Sequence, residues 1–208
     1  MNKPPVEREV KFYVADLAAL ESRLLKLGAV LLHPRVHELN YRFDTADHRL
    51  TSSAQVLRLR RDSRIILTYK GPASIENEVH ARPEIELEVD SFDNAVEFLK
   101  SLGYTSIVTY EKWRTTYSLN NLEITLDEMP FGSFSEIEGE DTESIRRTAA
   151  MLALDWSCRI NQGYMALFNQ LNARFSLNLT DMTFEAFKTL SVTPRDLGLK
   201  PADTPQYL

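Results

Sequence analysis

Acidic side chains recur at alternate positions in three short segments that have the character of β-strands. The pairs are Glu7 with Glu9, Glu84 with Glu86, and Glu136 with Glu138. Successive side chains on a strand point to opposite faces, so the two members of each pair share a face. Like charges placed this way repel each other, and a shared counter-ion explains them more easily than a solvated face does. Paired carboxylates with oxygen-only ligands suit Mg²⁺ or Mn²⁺.

Basic side chains show the same alternation in neighbouring segments. They are Lys11, Arg58, Arg60, Lys70, Lys112 and Arg114. Arginine offers a planar fork of N–H donors and lysine a compact ammonium charge, and both suit the oxygens of a polyanion. Asp127 also belongs to a charged face, opposite Ile124 and Leu126. A polyphosphate that carries a divalent cation would satisfy the acidic and the basic sets together.

The elements that must position these residues follow one plan, which occurs twice along the chain. Each half has a charged alternating strand, a polar cap, a helix that ends at glycine, and three further strands. The predicted strands are 7–14, 36–44, 56–61, 65–70, 84–89, 107–118, 122–128 and 134–138. Asp16 and Ser91 are predicted to cap the two helices, which end at Gly28 and Gly103. Asn120 and Asn121 suit a two-residue hairpin turn, so sequential strands should pair antiparallel.

We expect an α+β fold, in which an eight-stranded antiparallel β-barrel has its charged faces inside and helices packed outside. For any single strand, a sheet with one face in water also explains the alternation. Across the whole set that explanation is weaker, because the charged faces contain few neutral polar residues. Pro83 lacks a backbone donor, so the strand around it is predicted to be unpaired at its start. We predict a tunnel domain over residues 1–175 and a C-terminal appendage over 176–208.

Composition limits the classes of partner. With 208 residues and 43% hydrophobic content, the chain can bury one sizeable core. Its formal net charge of −6 disfavours nucleic acid and anionic lipid as partners. The single cysteine, Cys158, excludes an intramolecular disulfide framework, and the first residues lack the apolar run of a signal peptide. We therefore expect a cytoplasmic protein with no nucleic-acid or membrane partner, and the prediction leaves a homodimer open.

Several motifs together carry a family resemblance. Glu7-Arg8-Glu9-Val10-Lys11 matches the Glu-x-Glu-x-Lys signature that opens the CYTH domain, whose members are also called triphosphate tunnel metalloenzymes. The other motifs follow in order: Leu57-Arg58-Leu59-Arg60, Thr68-Tyr69-Lys70-Gly71-Pro72, Arg82-Pro83-Glu84-Ile85-Glu86, Glu111-Lys112-Trp113-Arg114, Leu126-Asp127-Glu128 and Gly132-Ser133-Phe134-Ser135-Glu136-Ile137-Glu138. The chain resembles this family over roughly residues 6 to 170.

The resemblance implies an eight-stranded tunnel, dependence on a divalent metal, and small-molecule substrates that bear a triphosphate. It implies that the metal ligands are Glu7, Glu9, Glu136 and Glu138, with Asp127 as a contributor. It implies a phosphate-binding lining made of Lys11, Arg58, Arg60, Lys70, Lys112 and Arg114. Glu84 and Glu86 resemble an acidic pair that holds a second metal or positions water, so with Lys11 they are the predicted catalytic residues.

The leading hypothesis for function is metal-dependent hydrolysis of inorganic triphosphate or of a nucleoside or thiamine triphosphate. One alternative is a class IV adenylate cyclase, which converts ATP to cyclic AMP and pyrophosphate with the same set of charges. Another alternative is a module that binds triphosphates without turning them over. A barrel for an apolar ligand ranks last, because the leucine-striped helices need the apolar strand faces for packing.

Overall fold

The computed structural model describes residues 6–76 and 78–204. In chain order the strands are β1 (Val6–Tyr13), β2 (Val30–Asp44), β3 (Val56–Arg61), β4 (Ile65–Lys70), β5 (Ser74–Glu76), β6 (Val79–Glu88), β7 (Thr105–Leu119), β8 (Leu122–Met129), β9 (Gly132–Glu138) and β10 (Arg159–Ile160). The helices are α1 (Leu17–Lys26), α2 (Arg49–Ser52), α3 (Phe92–Ser101), α4 (Thr142–Met151), α5 (Tyr164–Phe175) and α6 (Phe184–Phe187).

Eight of the strands form a closed antiparallel barrel. They pair in the order β1-β9-β8-β7-β2-β3-β4-β6, and β6 returns to β1 through the pairs from Val6 with Pro83 to Glu9 with His80. β5 and β10 add short pairings to β6 and β1, outside the closed ring. The prediction of an α+β fold built on an eight-stranded antiparallel barrel is confirmed.

Alternation along the strands divides the barrel into a charged interior and an apolar exterior. On β1, Val10 and Phe12 are buried against helices, while Lys11 between them faces the cavity inside the barrel. The core on this side of the barrel also contains Leu20 and Leu24 of α1 and Ile145, Ala149 and Leu152 near α4. A smaller cluster under α3 joins Phe43 and Leu59 to Phe92 and Leu99. The helices therefore lie outside the barrel, as expected.

Local signals fix the helix ends. Asp16 Oδ1 accepts a hydrogen bond from Ala19 N at 2.9 Å, and Ser91 and Asp141 cap α3 and α4 in the same way. Just beyond α1 and α3, Gly28 and Gly103 have φ values of 83° and 89°. This left-handed backbone favours glycine and ends the helix. The predicted caps of α1 and α3 are confirmed.

The third core cluster lies where α5 and the C-terminal residues pack on strand ends. Tyr13 and Phe134 contact a group made of Leu167, Phe168, Leu171, Met182, Phe187 and Leu197. Further along, Ala202 N donates to Tyr13 O at 2.9 Å, and Asp203 accepts from the backbone N–H groups of Ala15 and Asp16. The predicted division at residue 175 therefore falls within a region where residues on both sides share one core.

Two strands begin several residues before their predicted starts. β2 begins at Val30 rather than residue 36, and β6 begins at Val79 rather than Glu84. The expectation of an unpaired start at Pro83 was wrong, because Pro83 pairs with Val6 and its carbonyl accepts from Gly71 N at 2.8 Å. Asn120 and Asn121 both have positive φ, as the predicted hairpin turn requires.

No helix among the described residues combines the length and the apolar character that crossing a membrane would require.

Truncation of a buried side chain beyond residue 175 should weaken the whole domain. We expect Leu197→Ala, at a site only 1% exposed, to lower the free energy of unfolding by about 2–5 kcal/mol through lost burial and a residual cavity. Urea unfolding followed by circular dichroism measures this. Leu102→Ala, at a 59% exposed site, is the control and should change little. Equal effects of the two substitutions would show that residues 176–204 do not stabilise the domain.

Candidate functional site

The inside of the barrel encloses a cavity of about 680 Å³. All eight barrel strands contribute to its wall, together with the start of α5 and the residue Met182. The predicted site residues that line it are Glu7, Glu9, Lys11, Arg58, Arg60, Lys70, Glu84, Glu86, Lys112, Arg114, Glu136 and Glu138. Asp127 is not part of this lining. Closure of the sheet thus brings the acidic and basic sets into one space.

One part of the wall is a row of carboxylates. Glu138 on β9 lies directly opposite Glu9 on β1 and also opposite Glu123 on β8. Burial, with repulsion from Glu7, Glu123 and Glu9, raises the pKa of Glu138 to about 8. Burial also raises the pKa values of Glu7 and Glu9. A divalent cation placed here would relieve the repulsion among these side chains.

The other carboxylate of β9, Glu136, is neutralised by protein cations. Lys11 Nζ lies 2.8 Å from Glu136 Oε1, and the Arg114 guanidinium donates to the second oxygen. Burial alone would raise the pKa of Glu136, but Lys11, Arg114 and Lys112 hold it well below its ordinary value. The same lysine is 3.8 Å from Glu9 Oε1. Lys11 therefore lies between two groups of cavity-lining residues. The acidic row consists of Glu7, Glu9, Glu136 and Glu138, and the basic wall consists of Arg58, Arg60, Lys70, Lys112 and Arg114.

Asp127 is a fully buried anchor behind the basic wall, at 0% exposure. Arg114 donates to both of its oxygens, from Nε at 2.6 Å and from Nη2 at 2.5 Å. Lys112 Nζ and Tyr164 Oη donate to Oδ2 at 3.1 and 2.9 Å. These donors occupy both carboxylate oxygens, so the contacts orient Arg114 and Lys112 along the cavity.

A second network of ion pairs and hydrogen bonds joins β1, β3, β4 and β6. Lys70 Nζ lies 2.7 Å from Glu7 Oε2 and 2.9 Å from Glu84 Oε2. Arg58 Nη2 donates to Thr68 Oγ1 at 3.2 Å and lies 3.6 Å from Glu86 Oε1. The network therefore brings the predicted catalytic pair of β6 beside two predicted phosphate ligands.

Arg60 occupies the next inward position on β3 after Arg58. Its Nε lies 3.0 Å from Oδ2 of Asp62, in the turn between β3 and β4. Both residues line the cavity. The pair therefore places a guanidinium group at the turn end of the cavity wall.

The donor set fits a hard divalent cation, because Glu7, Glu9, Glu136 and Glu138 offer only oxygen atoms. Within residues 6–76 and 78–204, however, no three His, Cys, Asp or Glu side chains already form a metal centre. The ion pairs explain this: Glu7 holds Lys70, and Glu136 holds Lys11 and Arg114. A cation would have to compete with these protein ammonium and guanidinium groups for the carboxylates.

The sequence analysis missed several residues that line the cavity, among them Glu38, Arg42, Tyr110, Glu123 and Tyr164. Glu38 is 2% exposed, and although burial opposes ionisation, Lys112, Arg114 and Arg60 lower its pKa to about 2. Glu38 and Arg42 share one face of β2, and Glu123 shares a face of β8 with Asp127, so the parity rule applied to every residue of these strands would have found them. Tyr164 lies on a helix and gives no such signal.

Loss of the charge at Glu138 should stabilise the metal-free protein at high pH. Its folded pKa of about 8 exceeds the value of about 4.3 expected when unfolded. Between these values only the unfolded chain is ionised, so wild-type stability falls as the pH rises and the loss is complete above pH 8. Relative to wild type, we expect the free energy of unfolding of Glu138→Gln to change little near pH 4.5 and to be higher by several kcal/mol above pH 8, since each pKa unit corresponds to about 1.4 kcal/mol.

The measurement is urea unfolding in a chelator at both pH values, with the exposed Glu140→Gln as control. A gain that does not depend on pH would contradict the assignment of this charge to the buried row.

Comparisons with known proteins agree with this geometry. The match to the CYTH domain spans residues 6–152. Over 135 residues the chain is 28% identical to a candidate adenylate cyclase of Methanocaldococcus jannaschii, covering 64% of this chain and 76% of that protein. A Vibrio parahaemolyticus structure, described as a candidate adenylate cyclase, has a TM-score of 0.71 and 21% identity, and the match covers 81% of this chain and 99% of that one.

A Hippeastrum protein has the same fold, with a TM-score of 0.61 and 19% identity. It is described as a candidate adenylyl cyclase with a dominant triphosphatase activity, and the match covers 78% of this chain and 95% of that one. The two structural likenesses show a shared fold, and the domain match extends over more than half of the sequence. The chain belongs to the CYTH domain family.

Proposed function

We propose that this protein is a divalent-metal-dependent enzyme that hydrolyses the terminal phosphate of inorganic triphosphate or of a nucleoside or thiamine triphosphate. The observation that carries the proposal is the cavity inside the barrel, which is lined by both carboxylates and basic side chains. A polyphosphate requires cations along its length, and a metal ion that bridges its oxygens requires carboxylates beside it. The cavity offers both within one barrel interior.

The basic wall would bind the phosphate chain. Arg58, Arg60, Lys70, Lys112 and Arg114 all face the cavity, and Lys11 projects between the two walls. Phosphoryl transfer depends mainly on positioning and on charge stabilisation, so these side chains can stabilise the charge that develops on the transferred and leaving groups. Carboxylate partners hold these side chains in position. Phosphate oxygens would accept hydrogen bonds from the same N–H groups when substrate binds.

The acidic row would hold the metal, with Glu7, Glu9, Glu136 and Glu138 as ligands and Mg²⁺ or Mn²⁺ as the ion. When bound, such an ion neutralises phosphate charge and lowers the pKa of a coordinated water. Glu84 and Glu86 would orient the attacking water from the opposite side, since Lys70 holds Glu84 and Thr68 Oγ1 donates to Glu86 Oε1 at 3.0 Å. Lys11 would keep Glu136 ionised and contact the phosphate nearest the metal.

For Asp127 the geometry supports a positioning role over the ligand role implied by the resemblance. Both of its oxygens already accept hydrogen bonds from Arg114, Lys112 and Tyr164, and the side chain has no exposed surface. A metal ion would have to remove at least one of these buried partners and leave its charge uncompensated. We therefore assign Asp127 to holding the two cations at their correct angle toward the phosphate.

Adenylate cyclase activity is the second candidate, favoured by the relationship to the Methanocaldococcus jannaschii protein described as a candidate for that activity. Cyclisation would use the same cations and carboxylates, but with a ribose hydroxyl as nucleophile and pyrophosphate as leaving group. The Hippeastrum neighbour, described by both activities, supports treating them as alternatives on one fold. A binding module without turnover is the third candidate.

A product assay separates these functions. Purified protein with Mg²⁺ or Mn²⁺ should release orthophosphate from inorganic triphosphate, ATP or thiamine triphosphate. Glu136→Gln/Glu138→Gln should abolish the release, because it removes two charges that would bind the metal, while circular dichroism shows an intact fold. Cyclic AMP with pyrophosphate would instead establish a cyclase. The absence of any product with all three substrates would exclude hydrolysis and support the binding module.

Removal of one cavity cation should weaken substrate binding. We expect Arg58→Ala to cost roughly 1.5–3 kcal/mol for a lost charged hydrogen bond, which corresponds to about 10- to 100-fold in affinity. Calorimetric titration with a non-hydrolysable triphosphate analogue measures it. Arg61→Ala, on the same strand but directed to the outside against Phe92, is the matched control. Equal affinities of the two variants would place Arg58 outside the binding path.

A further inference from the structure

Part of the cavity wall carries no charge. Tyr110, Met165 and Met182 line the cavity where it meets the core cluster beneath α5. The main chain holds Met182 against β7, since Met182 N donates to Thr109 O at 2.9 Å and Glu111 N donates to Met182 O at 3.0 Å. Tyr110 and Met165 are half-buried, whereas Met182 is 0% exposed and supports them from beneath. We call Tyr110, Met165 and Met182 the apolar end of the cavity.

The apolar end is adjacent to the proposed phosphate-binding cations. Tyr110 lies near the Arg58 guanidinium, and both residues line the cavity. On the neighbouring strand Arg42 also faces the cavity. Because Tyr110 lies beside a proposed phosphate-binding residue and packs toward the methionines, a group attached to the triphosphate would extend from Arg58 along the Tyr110 ring.

Inorganic triphosphate would gain no binding free energy from the apolar end. The half-buried side chains of Met165 and Tyr110 present a thioether and an aromatic ring, which offer an anion few hydrogen-bond donors. An anion that leaves water there would lose hydration without a replacement. A flat heteroaromatic ring is suited to the same surface, because it can stack on tyrosine and make sulfur–aromatic contacts with methionine. The cavity volume of about 680 Å³ also falls within the range of about 300–1,000 Å³ found for drug-sized ligands.

The residues that form the apolar end come partly from outside the family match. The CYTH match stops at residue 152, whereas Met165 lies on α5 and Met182 lies just before α6. The charged walls therefore belong to the matched region, and the apolar end is completed by the C-terminal part of this chain. This gives residues beyond 152 a function in the cavity besides packing.

We infer that the apolar end binds the heteroaromatic ring of an organic triphosphate, so that the preferred substrate is a ring-bearing triphosphate such as a nucleoside triphosphate rather than inorganic triphosphate. The inference rests on the proposed function for its triphosphate site. It narrows the substrate class and assigns the selection to Tyr110 and Met165, with Met182 buried beneath them.

The test compares kcat/KM for ATP, thiamine triphosphate and inorganic triphosphate in the full chain with one divalent metal. Wild type should prefer a ring-bearing substrate. Met165→Ala should lower kcat/KM for that substrate by about tenfold, as expected for lost apolar contact in a pocket, and leave kcat/KM for inorganic triphosphate unchanged. Met165→Leu, which keeps an apolar side chain of similar size, should retain the preference.

Met151→Ala, at an exposed position at the end of α4, is the control and should match wild type with every substrate. The inference is overturned if wild type turns over inorganic triphosphate at least as well as both ring-bearing compounds, or if Met165→Ala affects all of them equally. If no substrate is turned over, the proposed function fails. Calorimetric affinities of wild type and Met165→Ala for ATP and inorganic triphosphate then test the apolar end by the same comparison.

Discussion

The hydrogen bonds between β1 and β6 close the sheet, and closure removes one face of every barrel strand from bulk water. Each ionised group on that face then needs a partner, because an isolated charge in a low-dielectric interior is strongly unfavourable. Lys70 between Glu7 and Glu84, and Glu136 between Lys11 and Arg114, meet this requirement. Compensation of charge across neighbouring strands therefore decides which side chains remain available to a ligand.

The two halves of the chain form equivalent parts of the barrel but differ in charge. Strands β1, β2, β3 and β4 correspond to β6, β7, β8 and β9, and exchanging the halves reproduces every pairing in the closed ring. Glu138 lies opposite Glu9, and Lys70 lies opposite Glu84 at the corresponding place. One junction between the halves, β1 with β9, therefore carries facing carboxylates, whereas the equivalent junction, β4 with β6, carries an ion pair. This asymmetry gives the barrel distinct acidic and basic sides.

Local patterns in the sequence were sufficient to predict the barrel and most of the charged residues that line it. Alternation placed Arg58 and Arg60 on one face, and the structure brings both into the cavity. Contacts between residues of different strands depend on strand register. Glu123 lies opposite Glu138 because of how β8 pairs with β9, and alternation within one strand does not contain that information. Tyr164 reaches the cavity through tertiary packing of α5, which no short-range pattern specifies. Asp127 follows the parity rule, yet its burial behind Arg114 depends on contacts from two other elements, β7 and α5.

The ion pairs that compensate the charges inside the barrel also couple the proposed binding of metal to the proposed binding of triphosphate. Glu7 engaged with Lys70 at 2.7 Å is less available to a metal ion, and the same contact makes Lys70 less available to phosphate. Phosphate that binds the lysine frees the carboxylate, and a cation that binds the carboxylate frees the lysine. Linkage requires the two effects to be equal, so each ligand must raise the affinity for the other by the same factor. The pairing of Lys11 with Glu136 adds a second such contact on the other side of the cavity. Metal and triphosphate should therefore bind this barrel cooperatively, through exchange of partners among side chains already in place and without a change of fold.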